Sequence, residues 1–109
     1  MKKLSFEEAK RLSIVKWNVY ASSETGYIEW FTLPREVIKL KFRCGFCERW
    51  NTPKGVNCKK CEFGKIAGTC TETGSKYDNW LYEAPGRFKR AMAIDILNII
   101  KNLQNENEP

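Results

Sequence analysis

The residues able to do chemistry in this chain are concentrated between Cys44 and Cys61. Cys44-Gly45-Phe46-Cys47 is followed, after ten residues, by Cys58-Lys59-Lys60-Cys61. In a Cys-x-x-Cys turn the two sulfurs converge on one point, and a second such turn completes a tetrahedron of thiolates. Zinc prefers that geometry and those donors. The gap is shorter than the roughly fifteen to twenty residues usual between paired Cys-x2-Cys turns. Ten residues still make an out-and-back loop, and Asn51, Pro53, Gly55 and Asn57 within it all favour turns. The expectation is one structural Zn2+ per chain, held by Cys44, Cys47, Cys58 and Cys61. The competing readings are two disulfides or unrelated buried thiols. There is a fifth cysteine, Cys70, with eight residues between it and Cys61. It is an alternative fourth ligand in place of Cys58, or else a small buried apolar residue.

An all-thiolate zinc has no open coordination position, so the site reads as structural and not catalytic. Other catalytic material is scarce. The sequence contains no histidine, which removes the commonest general base and every Cys–His or Ser–His pair. Glu7-Glu8 falls where the first turn of a helix is expected, and acids there complement the helix dipole. Gly64, Gly68 and Gly74 lack the spacing and context of a phosphate loop. No enzymatic activity and no small-molecule substrate are expected.

Basic and aromatic residues are interleaved around the cysteines. Arg49, Lys54, Lys59, Lys60 and Lys65 lie among Phe46, Trp50 and Phe63. Such a set can hold phosphates and stack bases. Alternatively the aromatics cover the metal and the lysines are solvated. Arg49, Trp50, Lys54, Lys59, Lys60 and Lys65 are therefore the candidate partner-binding residues. Formal charge is +6, from 19 Lys and Arg against 13 Asp and Glu. Four thiolates and one Zn2+ add −2, leaving the metallated chain near +4. Residues 1–43 carry nine basic and five acidic groups, 44–70 five and two, and 71–109 five and six. A positive front and middle permits a nucleic-acid or acidic partner without requiring one.

The elements that must position the cysteines are helical. Ser5-Phe6-Glu7-Glu8 reads as a capping box, with Glu8 reaching back to the cap. Ala9, Leu12, Val15 and Val19 then recur at helical spacing, widened by Ile14 and Trp17, so a helix is expected over 6–20. Residues 21–26 are a loop, and 27–31 are either a short strand or an irregular aromatic segment. Pro34 opens a short helix over 34–41 that delivers the chain to Cys44. Residues 42–72 form the zinc module. Ser75 caps a short helix, 76–83, with Trp80 and Leu81 inward, and Pro85-Gly86 interrupts it. The helix expected over 87–104 carries two adjoining apolar stripes: Phe88, Met92, Ile96, Ile99 and Leu103, then Ala93, Leu97 and Ile100.

With 109 residues, 42% of them hydrophobic, the chain is expected to fold as one domain over 1–109 with a modest core that metal binding reinforces. The fold class is mainly α: a small zinc-stabilised helical domain with a zinc-ribbon or knuckle-like loop between two long helices. No apolar run is long enough to span a bilayer. The N-terminal residues are too charged for a signal peptide, so a cytoplasmic location with reduced thiols is expected.

The order of these parts resembles a group of small, mostly uncharacterised bacteriophage and prophage zinc-binding proteins. In that group a helix ends in Lys-Trp, here Lys16-Trp17, and a segment ends in Leu-Lys, here Leu40-Lys41. Cys-x-x-Cys-Glu, Cys-x-x-Cys, a further Cys and Tyr-x-x-Trp follow, here Cys44 to Glu48, Cys58 to Cys61, Cys70, and Tyr77 to Trp80. A C-terminal amphipathic helix completes the pattern. Glu62-Phe63 stands where the group often has Pro-Leu. The resemblance covers most of the chain and implies a protein that binds and redirects a host protein within the host cell, including defence systems such as CRISPR effectors. A nucleic-acid-binding zinc module is the alternative function, and a structural subunit of a homo-oligomer is a third.

Overall fold

The computed structural model describes residues 4–40, 45–53, 55–56, 60–68 and 73–104. The protein is mainly helical. Its helices are α1 (Phe6–Ser22), α2 (Arg35–Ile38), α3 (Gly45–Arg49), α4 (Glu62–Ala67), α5 (Lys76–Tyr82) and α6 (Arg87–Lys101). Between α3 and α4 lies a minimal antiparallel hairpin, β1 (Asn51–Thr52) with β2 (Gly55–Val56), in register Asn51 to Val56 and Thr52 to Gly55. None of the described helices is long and apolar enough to cross a membrane.

Ser5 caps α1 as the sequence predicts, its Oγ accepting from Glu8 N at 3.1 Å. The second half of the predicted capping box does not form. The Glu8 carboxylate turns to Arg11 instead, at 2.6 and 3.2 Å, and Arg11 also reaches Glu36 at 3.0 Å. A guanidinium fork takes both carboxylate oxygens, which one backbone N–H cannot do. This holds the Glu8 carboxyl below the usual carboxylate range and ties α1 to α2.

α1 and α6, the two long helices, make the most extensive interface in the molecule. The buried face of α1 runs through Phe6, Ala9, Ser13, Lys16, Trp17 and Tyr20, one strip over from the predicted Val15 and Val19, which are half-buried. On α6 the fully buried positions are Ala93, Ile96 and Ile100, with Lys89 and Leu97 beside them. Phe88, expected in the core stripe, is 64% exposed, with the Arg87 guanidinium 5.1 Å from its ring. The helix buries the face one residue further on, where Lys89, Ala93, Ile96, Leu97 and Ile100 follow the helical period. α6 ends at Lys101, earlier than predicted, although Leu103 still packs into the core.

Two other expectations, the 34–41 helix and an inward Leu81, are corrected, and of the two readings of 27–31 the irregular one holds. The predicted 34–41 helix is a single turn over Arg35–Ile38, with Pro34 at its N-cap and only Val37 fully buried, so one turn suffices to seat its apolar face. The 27–31 segment is irregular, closing in a 3-10 turn over Trp30–Thr32 that Thr32 reinforces through Oγ1 to Glu29 O at 2.6 Å. Leu81 is 45% exposed, because α5 is short and Trp80, a rotation of about 100° away, occupies its inward face.

Candidate metal centre and its clamp

The segment that carries the cysteines is mounted on α1. A Cβ at Gly45 would lie 2.3 Å from Ala9 O, so α3 rests directly on the α1 backbone and only glycine fits. Phe46 follows into the core at 1% exposure and meets Phe6 edge-on, centroids 6.1 Å apart. Burying such a ring stabilises by roughly 1.5–3 kcal/mol, with about 0.5–1.5 more from the aromatic pair. Cys47, the next residue, is half-buried on α3.

Cys61 is the N-cap residue of α4 and is 8% exposed. Its Sγ accepts the backbone N–H of Gly64 at 3.4 Å. An amide aimed at sulfur favours the anionic form that a metal needs, so Cys61 fits the role of a zinc ligand. Cys44, Cys58 and Cys70 lie outside the described residues, and so does the choice between Cys58 and Cys70. Among the described residues no group of three or more potential ligands converges.

The elements carrying Cys47 and Cys61 are joined by a feature that sequence reasoning missed. Glu62, adjacent to Cys61, is 2% exposed. Its Oε2 accepts from Arg49 Nε at 3.1 Å and its Oε1 from Trp50 Nε1 at 2.7 Å. Arg49 Nη1 also donates to Leu4 O at 3.2 Å, and its guanidinium lies 4.9 Å from the Trp50 centroid. One carboxylate thus locks the end of α3 to the start of α4, and through them the two cysteine-bearing turns. The available signal was Glu62 itself, a lone acid among basic residues at the point where the resembled group carries proline.

The predicted partner-binding set divides accordingly. Arg49, expected to be exposed, is 9% exposed, because pairing with Glu62 and Leu4 O satisfies its donors inside. Trp50 is half-buried and committed to the same carboxylate. Lys60 and Lys65 are exposed. Lys54 and Lys59 lie outside the described residues. Phe63 is buried at 5%.

A second cluster was only partly legible. Trp80 of the Tyr-x-x-Trp motif sits among Trp17, Tyr20 and Tyr77, at ring-centroid distances of 4.8, 4.8 and 5.9 Å, and donates from Nε1 to Gly26 O at 3.0 Å. Lys89 stands over it, Nζ 4.5 Å from the Trp80 centroid, and donates to Leu81 O and Glu83 O. Comparison with protein-family models, with curated proteins and with solved structures finds no match to this chain.

Proposed function

We propose that this chain is a zinc-stabilised, non-enzymatic interaction protein that binds a protein partner through aromatic side chains displayed at Trp30 and Phe31. The observation that carries this reading is their exposure, 47% and 59%, on a hydrogen-bonded turn. The two rings meet edge-on with centroids 5.9 Å apart, so each limits the other's freedom. Large aromatics held in place on a surface are the residues from which protein interfaces draw most of their energy. The zinc is structural in this reading: four thiolates draw together a module whose described helices are short and whose hairpin is minimal. The resemblance to bacteriophage proteins supplies the kind of partner, a host protein.

The nucleic-acid alternative is disfavoured by the orientation of the module's aromatics. Phe46 and Phe63 are buried and offer no open face for a base, and half-buried Trp50 has its indole N–H committed to Glu62 and the Arg49 guanidinium 4.9 Å from its ring. Arg49 is likewise committed within the fold.

The test is affinity capture from host lysate with and without nuclease, using variants that keep their zinc and their melting temperature. Retention of a defined protein should survive nuclease. It should fall roughly thirtyfold in Trp30→Ala or Phe31→Ala, the scale of an interface anchor, and should persist when Lys54, Lys59 and Lys60 are replaced together by Ala. Loss of the complex on nuclease treatment would favour the alternative instead. So would loss in the triple variant with a salt slope lowered by about 0.7–0.9 per contact removed.

A further inference from the structure

Beside the aromatic cluster the surface opens into a cavity of about 190 Å³. Five aromatic residues, Tyr20, Tyr27, Trp30, Tyr77 and Trp80, line it together with Lys16 and two leucines. The volume is several times the roughly 30 Å³ of one water and below the roughly 300–1,000 Å³ of a drug-sized site. It suits a group of one or two rings.

The two lysines at this cluster differ in one respect. Lys89 is satisfied, its ammonium donating to Leu81 O at 3.3 Å and Glu83 O at 3.1 Å. Lys16 is 8% exposed, and its ammonium lies 5.4 Å from the Trp17 ring and 6.0 Å from the Tyr77 ring. Among the described residues it has neither a carboxylate nor a hydrogen-bond acceptor. Aromatic faces attract its charge but leave its three N–H donors without lone pairs. A largely buried side chain whose ammonium finds no acceptor in the described fold, at the wall of an open cavity, is placed to receive an anionic one.

Charge and shape then narrow the class. Two ammoniums already face this set of rings, so a cationic guest of the kind aromatic cages otherwise hold is repelled. Lys16 supplies one positive charge, which matches a carboxylate better than a phosphate monoester carrying nearly two negative charges. Walls made of rings favour a planar guest, stacked or edge-on. We propose that the cavity is a binding site for a planar aromatic carboxylate whose acid group is held by Lys16. The same chemistry arrives either as a free aromatic acid or as the C-terminal aromatic residue of a polypeptide. The proposal does not rest on the protein-binding reading above.

Titration calorimetry on the purified chain tests it with matched probes: indole-3-acetate, its uncharged amide, and tryptamine. The acid should bind roughly tenfold or more tighter than the amide, since a charge-assisted hydrogen bond is at stake, and tryptamine should give no heat. Lys16→Met keeps the aliphatic stem and should bring the acid down to the affinity of the amide. Should that variant fail to fold, the comparison of acid with amide on the unmodified chain decides alone. A tripeptide ending in tryptophan, with a free or amidated C-terminus, separates the two sources. If only its free-acid form binds, and more tightly than indole-3-acetate, the ligand is a polypeptide end; if only the small acid binds, it is a free molecule. No binding by either acid, equal affinity for acid and amide, preference for tryptamine, or an acid preference that survives in Lys16→Met would each overturn the proposal.

Discussion

Arg49 and Glu62 form a buried ion pair, Nε to Oε2 at 3.1 Å, with side chains 10% and 1% exposed. They stand two residues after Cys47 and one after Cys61, so the pair clamps the two halves of the cysteine module from within. The second Glu62 oxygen accepts from Trp50 Nε1, and Arg49 Nη1 donates to Leu4 O. That degree of satisfaction is what makes a buried charge pair tolerable.

Removing one partner should therefore be costly. Glu62→Ala leaves a buried guanidinium without its counter-ion and should destabilise by about 3–5 kcal/mol, read by denaturant unfolding of the purified chain. Arg49→Met combined with Glu62→Leu should recover part of that loss, because both charges are then gone. A loss below about 1 kcal/mol for Glu62→Ala, the range of surface pairs, would mean that the clamp does not hold the module together.

Protein purified without added metal should contain close to one zinc per chain by elemental analysis, and reduced apo-protein should lose much of its folded signal. Cys44→Ser, Cys47→Ser and Cys61→Ser should each abolish zinc retention. If Cys58 is the fourth ligand, Cys58→Ser should match them and Cys70→Ser should be mild. The reverse ranking would put Cys70 in the site. Two equivalents, or none in reduced protein, would exclude the paired-turn assignment.

Gly45→Ala should be destabilising although alanine is the better helix former. The added Cβ would sit 2.3 Å from Ala9 O and 2.9 Å from Ala9 Cα, and both are backbone atoms. The gain of roughly 1 kcal/mol in helix propensity should be overwhelmed, and zinc affinity should fall with stability as α3 is pushed off α1. A rise in melting temperature would show that the two helices are not in direct contact.

Burial pulls the Lys89 ammonium below the usual lysine range, with Glu83 acting in the opposite direction. The folded state then releases this proton at a lower pH than the unfolded chain, whose lysines titrate near about 10.4. With more protons bound in the unfolded state across that interval, stability rises with pH. The stability of the unmodified protein minus that of Lys89→Met should thus be lowest at pH below the folded value, climb through it, and level off near about 10.4. Chemical denaturation of both proteins across the alkaline range reads this difference, and a difference that falls with pH would reverse the assignment.

Much of the helical framework was legible because it depends on local rules. Ser5 and Ser75 each accept an N–H three residues on, the N-cap pattern their positions predicted. The periodic apolar residues of α1 and α6 placed both long helices. Periodicity could not say which of two adjoining stripes faces inward: the strips containing Phe88 and Lys89 have equal local claims on burial, and packing against α1 and α5 selected the one with Lys89.

By itself the sequence determined the two long helices and the short capped α5, the cysteine spacing that zinc would use, and the absence of any histidine, because each depends on neighbours a few residues apart. Only the tertiary structure decided the fate of the charges. Arg49 and Glu62 are thirteen positions apart, and nothing in either residue's surroundings along the chain says that they meet. Lys16 and Lys89 look like ordinary solvated lysines on their helices. They become a cavity wall and a cluster cap because α1, α5 and the 27–30 segment bring aromatic rings around them. Burial turns a charge from a minor surface term into a decisive one, and burial is a property of the assembled fold.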